Sequence, residues 1–332
     1  MEEVADSQAD EPARPDSDIP AEIVVIVPYG NVMLDVVFET SKETLRSARK
    51  ANLPRPGQKA REGLNHPTLK QRLRVAYRAD VDVLKKQSKY FNSLLGDTRF
   101  HEAKIVTAAL KAMSLNNAQA AQLKPDELPW VRIEDDDDLS KSAGREVVFA
   151  ELLRILHGVE TSKTAKNSPT LPELCTMAIL ADRLDCTAAA SGYVRNLRFK
   201  FPQAIFRAPK KDGDLPSFVN EEAIRQKILV SWYLDQPLRF QNGTRELIVY
   251  GSKRWDPYAE YDESQTASWW DLPDELESKQ VVARFSFGAR PLTNVQRRVA
   301  VSSGKHPKLH RVCSTSLSRS VHIPRSAVQI WV

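Results

Sequence analysis

Two periods alternate along the chain, and the changes between them outline its elements. In "EIVVIVPYGNVMLDVVFE", Glu22–Glu39, two β-branched runs flank Pro28-Tyr29-Gly30-Asn31, which is turn chemistry between strands. The spacing predicts a hairpin, and the unbroken apolar run Ile23–Val27 predicts a strand covered on both faces. "RLRVAY", Arg72–Tyr77, and "WVRIE", Trp130–Glu134, alternate at period two, as half-buried strands of the same sheet should.

Between and after these strands the period becomes helical. Leu84, Phe91 and Leu94/Leu95 fall on one face of a predicted helix that Asp82 can cap and that Gly96 would end in a left-handed position. Ser88 lies on that same face, where a bulkier side chain would hold the helix off its neighbour. A backbone carbonyl one turn earlier could satisfy its hydroxyl. Phe100 is expected to turn back onto the core, with Glu102 left near the surface. Val148, Leu152 and Ile155/Leu156 form a second stripe, with Gly158 as terminator. "NSPTLPELCTMAILADRLDC" opens with a turn and Pro172 and buries Leu174, Ala178 and Ala181. A shorter helix, Thr187–Arg198, buries Val194 and Leu197. Farther on, Asn220 can cap a helix carrying Ile224, Ile228 and Trp232, which Pro237 closes. "GTRELIVYGSKRW" is its expected partner helix.

The remaining stretches divide the chain. Residues 1–20 are polar and proline-bearing and are expected to be disordered. The segments 41–71 and 104–126 read as insertions in a domain spanning 21–198. Pro202, Pro209 and "KKDGD" mark a linker at 199–217, and a helical extension follows over 218–275. Its end, 256–275, is rich in Trp, Tyr and acids and looks irregular. The tail, 276–332, has no sustained period, and no internal repeat is visible anywhere.

Charge sharpens that last boundary. From Ser278 onward there are ten Lys and Arg and no acid, which leaves 38 of the 48 basic residues against all 43 acids. The body is therefore mildly acidic, and the net charge of +5 comes from the tail. A retained intron or a shifted reading frame at Ser278 would produce such a break. Transcript reads continuing the frame to Val332 would exclude it. No run approaches the roughly 20 apolar residues that cross a bilayer. The acidic N-terminus has no apolar core of a secretory signal. These features predict a soluble intracellular protein, cytoplasmic or nuclear, with no membrane partner.

Catalytic patterns are absent from the sequence. There is no G-x-G-x-x-G, no P-loop, no G-x-S-x-G elbow and no H-E-x-x-H, and the six histidines pair with no cysteine at ligand spacing. No metal, cofactor or catalytic residue is expected. Cys175, Cys186 and Cys313 have no C-x-x-C spacing and read as free core thiols. The run Asp135–Asp138 invites comparison with a cation site, but consecutive side chains diverge and EF-hand spacing is missing. A solvated acidic turn, with one Asp capping the next helix, is the expectation.

Three segments, in order, resemble the BTB/POZ domain of the fungal type. Leu84, Ser88, Phe91, Leu94, Leu95, Phe100 and Glu102 fit its L-x-x-x-S-x-x-F-x-x-[LM]-L helix and the acid after an aromatic. Phe149, Leu152, Leu153, Leu156 and Gly158 fit its F-x-x-L-L-x-x-[IL]-[HY]-x-G segment. Leu171, Leu174, Ala181, Asp182, Arg183, Leu184 and Cys186 fit the helix that ends in A-D-[KR]-[FLY]-x-C. The resemblance covers roughly Ile23 to Arg198 and implies an α+β fold, a small mixed sheet packed on a cluster of helices. It also implies a non-enzymatic protein-interaction module that self-associates or docks onto a cullin scaffold as a substrate adaptor for ubiquitin ligation. The expected partner surface is the opening helix, the acidic stretch Glu134, Asp135, Asp136, Asp137 and Asp138, and the helix over 147–157. The alternative is a nuclear regulator that touches nucleic acid or chromatin through the basic tail, whose arginines and lysines could neutralise phosphates without any fold.

Overall fold

A computed structural model describes residues 20–51, 69–115, 119–161, 168–197, 199–201, 219–250, 267–270 and 272. The predicted disorder of residues 1–19, the middle of the first insertion, most of the linker and the whole basic tail lie outside the described residues.

The fold is α+β. Four strands, β1 (Glu22–Val25), β2 (Val32–Glu39), β3 (Arg72–Ala79) and β4 (Trp130–Asp135), form one mixed sheet in the order β1-β3-β2-β4. β2 runs antiparallel to β3, and the β1–β3 and β2–β4 pairs are parallel. Leu34 pairs with Tyr77 and Val131, and Val36 with Val75 and Ile133. This register sends all six side chains to the helical face. Phe38, Tyr77 and Phe149 meet edge-on or tilted there, with centroids 5.2–6.5 Å apart.

The expected hairpin does not form. β1 and β2 flank β3 on opposite sides, so Pro28–Asn31 crosses the end of β3 instead of joining paired strands. Ile26 and Val27 both donate to the Arg78 carbonyl, and Asn31 donates to that of Ala79. Gly30 passes so close that an added Cβ would sit 2.8 Å from the Ala79 oxygen. β1 is consequently an edge strand. Ile23 and Val25 stay about half exposed, where cover on both faces was expected. The strand buried on both faces is β2, in which every residue but Glu39 is buried.

The second face of the sheet is covered by what the sequence offers as an insertion. Helix α1 (Lys42–Ala51) occupies the start of the first insertion. In the second, α4 (His101–Leu115) and two short 3-10 turns lay Met113, Leu123 and Leu128 over Met33, Ala76 and Trp130. Arg78 pins this segment by donating to the carbonyls of Gly30 and Ala120.

On the first face, the predicted single helix over 80–96 is two. α2 (Val81–Gln87) is capped by Asp80, not Asp82: the Asp80 carboxylate accepts from the Val83 N–H at 3.0 Å. Ser88 breaks the rod in extended geometry and caps α3 (Lys89–Gly96). Gly96 ends α3 without a positive φ; among the described residues the left-handed glycines are Gly144 and Gly158, which bracket α5 (Arg145–His157). Phe100 is 43% exposed and does not return to the core.

The other helices stack as two hairpins. α6 (Leu171–Arg183) starts with a reciprocal Thr170–Glu173 cap, with Leu171 before Pro172, and turns into α7 (Thr187–Asn196). α8 (Val219–Tyr233) contains Asn220 within its first turn, and Pro237 opens α9 (Pro237–Tyr250) in addition to closing α8. The two turns are copies. Asp185 and Asp235 take φ of 46° and 49°, and Cys186 and Gln236 donate back to Ala181 and Ser231 at 2.8 Å. In each, a buried serine hydroxyl from another helix layer donates to the turn leucine's carbonyl at 2.6 Å: Ser88 to Leu184, and Ser191 to Leu234. This internal repeat escapes the sequence because only Leu-Asp is shared between the turns.

Candidate functional site

The residues singled out by pattern separate into two groups. Leu84, Phe91, Leu95, Phe149, Leu152, Leu153, Leu156, Leu171, Leu174, Ala181 and Cys186 are buried, and Leu94 is half-buried against the same core. Asp182 is exposed and Glu102 partly so. The first group builds the fold and presents nothing to a partner.

Ser88 explains how the helix pair is held. Only 2% exposed, it accepts from the Phe91 N–H at 3.1 Å and donates to the Leu184 carbonyl. That carbonyl belongs to the α6–α7 turn, not to the preceding turn of the serine's own helix as expected. Lys89 reinforces the contact through a backbone bond to the Asp185 carbonyl and an exposed ion pair. His157 makes a second joint. Its Nδ1 lies 2.8 Å from the Leu153 carbonyl, and its Nε2 accepts the Asp80 N–H at 3.0 Å. This arrangement requires the neutral Nδ1–H tautomer and ties the end of α5 to the cap of α2.

The acidic stretch does not form a single surface. Strand parity carries through it, so Asp135 and Asp137 point inward at 6% and 4% exposure, while Glu134, Asp136 and Asp138 face out. Asp135 accepts from Arg145 at 2.6 Å and from Arg183 at 3.0 Å. Arg145 is itself 2% exposed and spends its other donors on the carbonyls of Ser142 and Glu39, both at 2.7 Å. Burial raises the pKa of the Asp135 carboxyl, and the two guanidiniums oppose that shift. Asp137 takes the N–H and hydroxyl of Ser41 at 3.1 and 2.9 Å and so anchors the start of α1. Burial alone would raise its pKa too, but hydrogen bonds from Thr44 and Ser41 outweigh it and hold the carboxyl below its usual value. No acid caps α5, whose N-cap is Gly144.

Two of the five acids are therefore structural, and the outward row Glu134, Asp136 and Asp138 remains as the candidate contact surface. Leu139 (54% exposed) adjoins it in sequence. Apolar side chains exposed elsewhere include Tyr29, Phe100 and Val147. Arg145 was not singled out by sequence, although an arginine ten residues after a buried-parity aspartate is a usable signal.

Cys175 and Cys186 are buried free thiols. Burial pushes the Cys175 thiol well up, and with the nearby Asp185 charge it pushes Cys186 up to about 12. Among the described residues no three His, Cys, Asp or Glu side chains converge as a metal site. No described helix is long and apolar enough to cross a membrane. Comparison with protein-family models, with curated proteins and with solved structures finds no match to this chain.

Proposed function

We propose that the chain is a protein–protein interaction module of the BTB/POZ type that self-associates or docks onto a cullin scaffold as a substrate adaptor. The observation that carries this reading is the order of elements. The antiparallel β2–β3 pair is followed by a broken helix pair, then by α4 and two 3-10 turns, then by β4 parallel to β2, then by α5 and the α6–α7 hairpin. The motif residues Leu84, Phe91, Leu152 and Ala181 are fully buried, and Ser88 is nearly so. Binding of this kind needs a shaped surface with a few anchors and no reactive centre. The outward carboxylates Glu134 at the end of β4 and Asp136 and Asp138 in the loop after it, with Leu139 beside them, offer such anchors.

Light scattering of the full chain, together with capture by a cullin scaffold's N-terminal region, tests the proposal. A dimer or a cullin complex is expected, and a strictly monomeric chain that captures no cullin would overturn it. Replacing Glu134, Asp136 and Asp138 together by Lys should weaken the complex while lowering stability by no more than about 1 kcal/mol per broken pair, since the pairs with Arg132 and Lys141 each have an exposed member.

A further inference from the structure

The stretch Ala267–Leu272, Ala-Ser-Trp-Trp-Asp-Leu, reads as irregular, yet three of its described residues are packed like core. Ala267, Trp269 and Leu272 are 5%, 6% and 5% exposed. Ser268–Trp270 form one 3-10 turn, closed by the Trp270 N–H on the Ala267 carbonyl at 2.8 Å. The turn sits on α8. There Arg225, fully buried, places its guanidinium carbon 5.0 Å from the Trp270 ring centre and donates to the Trp270 carbonyl at 3.5 Å. From the other side, the Ser268 N–H donates to the Leu139 carbonyl at 2.9 Å, in the loop that carries the outward acids.

This is how a short peptide binds a receptor: aromatic anchors in a desolvated seat, a cation over a ring, and backbone bonds that fix direction. The seat is built without the segment. Glu221 orients Arg225 at 3.1 Å from the preceding turn of α8. α8 is in turn fixed to α9 by the Lys227–Glu246 pair at 2.7 Å and by the packing of Gly243 on Ile228. The segment fits its seat imperfectly. The Trp269 indole N–H and the Ser268 hydroxyl are buried with no hydrogen-bond partner among the described residues. Buried donors left unmade weaken an interaction and make its release easier.

We propose that the face formed by α8 and the Leu139 loop is a peptide-recognition site, filled in cis by Ala267–Leu272. A partner segment of the same chemistry, adjacent tryptophans followed by a leucine, competes for it. Release would uncover Arg225 and the rim beside Glu134, Asp136 and Asp138 together, so displacement of the segment would change the acidic surface.

The test uses full-length protein and a fluorescein-labelled peptide with the sequence of residues 266–273. The tethered segment competes at an effective concentration on the order of millimolar. The Trp269→Ala/Trp270→Ala variant should therefore bind the peptide at least about tenfold more tightly than the unaltered chain. A peptide with both tryptophans changed to alanine should bind neither. Equal binding to the two chains, or binding to neither, overturns the proposal. A second measurement needs no variant that folds. In the unaltered chain, saturating peptide should speed hydrogen exchange at the Ser268 amide, and unchanged exchange there overturns the proposal. Neither readout depends on cullin binding or self-association, so this site and the module's partner stand or fall separately.

Discussion

Removing the Ser88 hydroxyl tests whether the α2–α3 break is a designed joint. Ser88→Ala deletes two hydrogen bonds in a site that is 2% exposed. Loss of an N-cap side chain costs about 1 kcal/mol. Stripping the Leu184 carbonyl of its buried donor costs about 1–3 kcal/mol more, because no water replaces it. The expected loss is about 2–4 kcal/mol. Ser191→Ala is the internal comparison. It removes the matching bond to the Leu234 carbonyl, but Ser191 lies inside α7 and caps nothing. It should cost only the carbonyl's share, about 1–3 kcal/mol. Urea unfolding of the full chain followed by far-UV circular dichroism measures both. A loss below about 0.5 kcal/mol for Ser88→Ala, smaller than any cap in a buried site, would refute the reasoning. A larger loss for Ser191→Ala than for Ser88→Ala would refute it equally. Ser88→Leu should exceed Ser88→Ala, since overpacking adds about 1–3 kcal/mol to the lost bonds.

Arg145→Met leaves Asp135 with only the half-exposed Arg183 and should cost about 3–5 kcal/mol, whereas Arg183→Met should cost about 1 kcal/mol or less; chemical denaturation separates them. Asp137 has a folded pKa below its unfolded value, so its contribution is complete above about pH 4 and is lost as pH falls through the lower folded value. Urea midpoints taken downward from about pH 5 should therefore drop less steeply in Asp137→Asn than in the parent. Gly30→Ala pushes a Cβ to 2.8 Å from the backbone of Ala79, which cannot yield, and should cost about 2 kcal/mol or more. Gly192→Ala, inside α7 with nothing within 4 Å of the new methyl, should raise stability by about 0.5–1 kcal/mol, and melting temperatures of opposite sign would contradict both.

The elements that sequence located best are those whose signal is local. The 3.6 period of Val148, Leu152 and Leu156 and the left-handed Gly158 define α5 without reference to anything distant. The period of Ile224 and Ile228 does the same for α8. Misreadings occur where a distant partner decides. Ile23–Val27 and Val32–Glu39 have the composition of a hairpin. Their pairing is instead settled by β3, some forty residues later, which inserts between them. Ser88 has helical neighbours on both sides, and nothing within a turn of it says that its hydroxyl will be taken by the α6–α7 turn, 96 residues away. Phe100 looks like core by type, but it lies just before α4, whose buried residues are Ala103 and Val106, and it stays 43% exposed.

The acidic run shows how a surface can be half legible. Val131 and Ile133 face the helices, so the period of β4 already assigns Asp135, and by continuation Asp137, to the same inward side. What parity cannot supply is the partner that makes an inward carboxylate tolerable, since Arg145 and Arg183 reach Asp135 from two different helices. An unpaired carboxylate there would be prohibitive, so the arginines and the acid must be kept or lost together. Neutralising the whole run at once would therefore confuse two effects. Asp135 and Asp137 would loosen β4, α5 and α1, and any partner would be lost along with the fold. Restricting charge reversal to Glu134, Asp136 and Asp138 reduces that ambiguity, because their carboxylates face solvent and the pairs they make, Glu134 with Arg132 at 3.5 Å and Asp138 with Lys141 at 3.6 Å, each have an exposed member and contribute little. Binding that survives all three reversals moves the contact surface off this loop, and the exposed apolar residues Tyr29, Phe100 and Val147 become the next places to look.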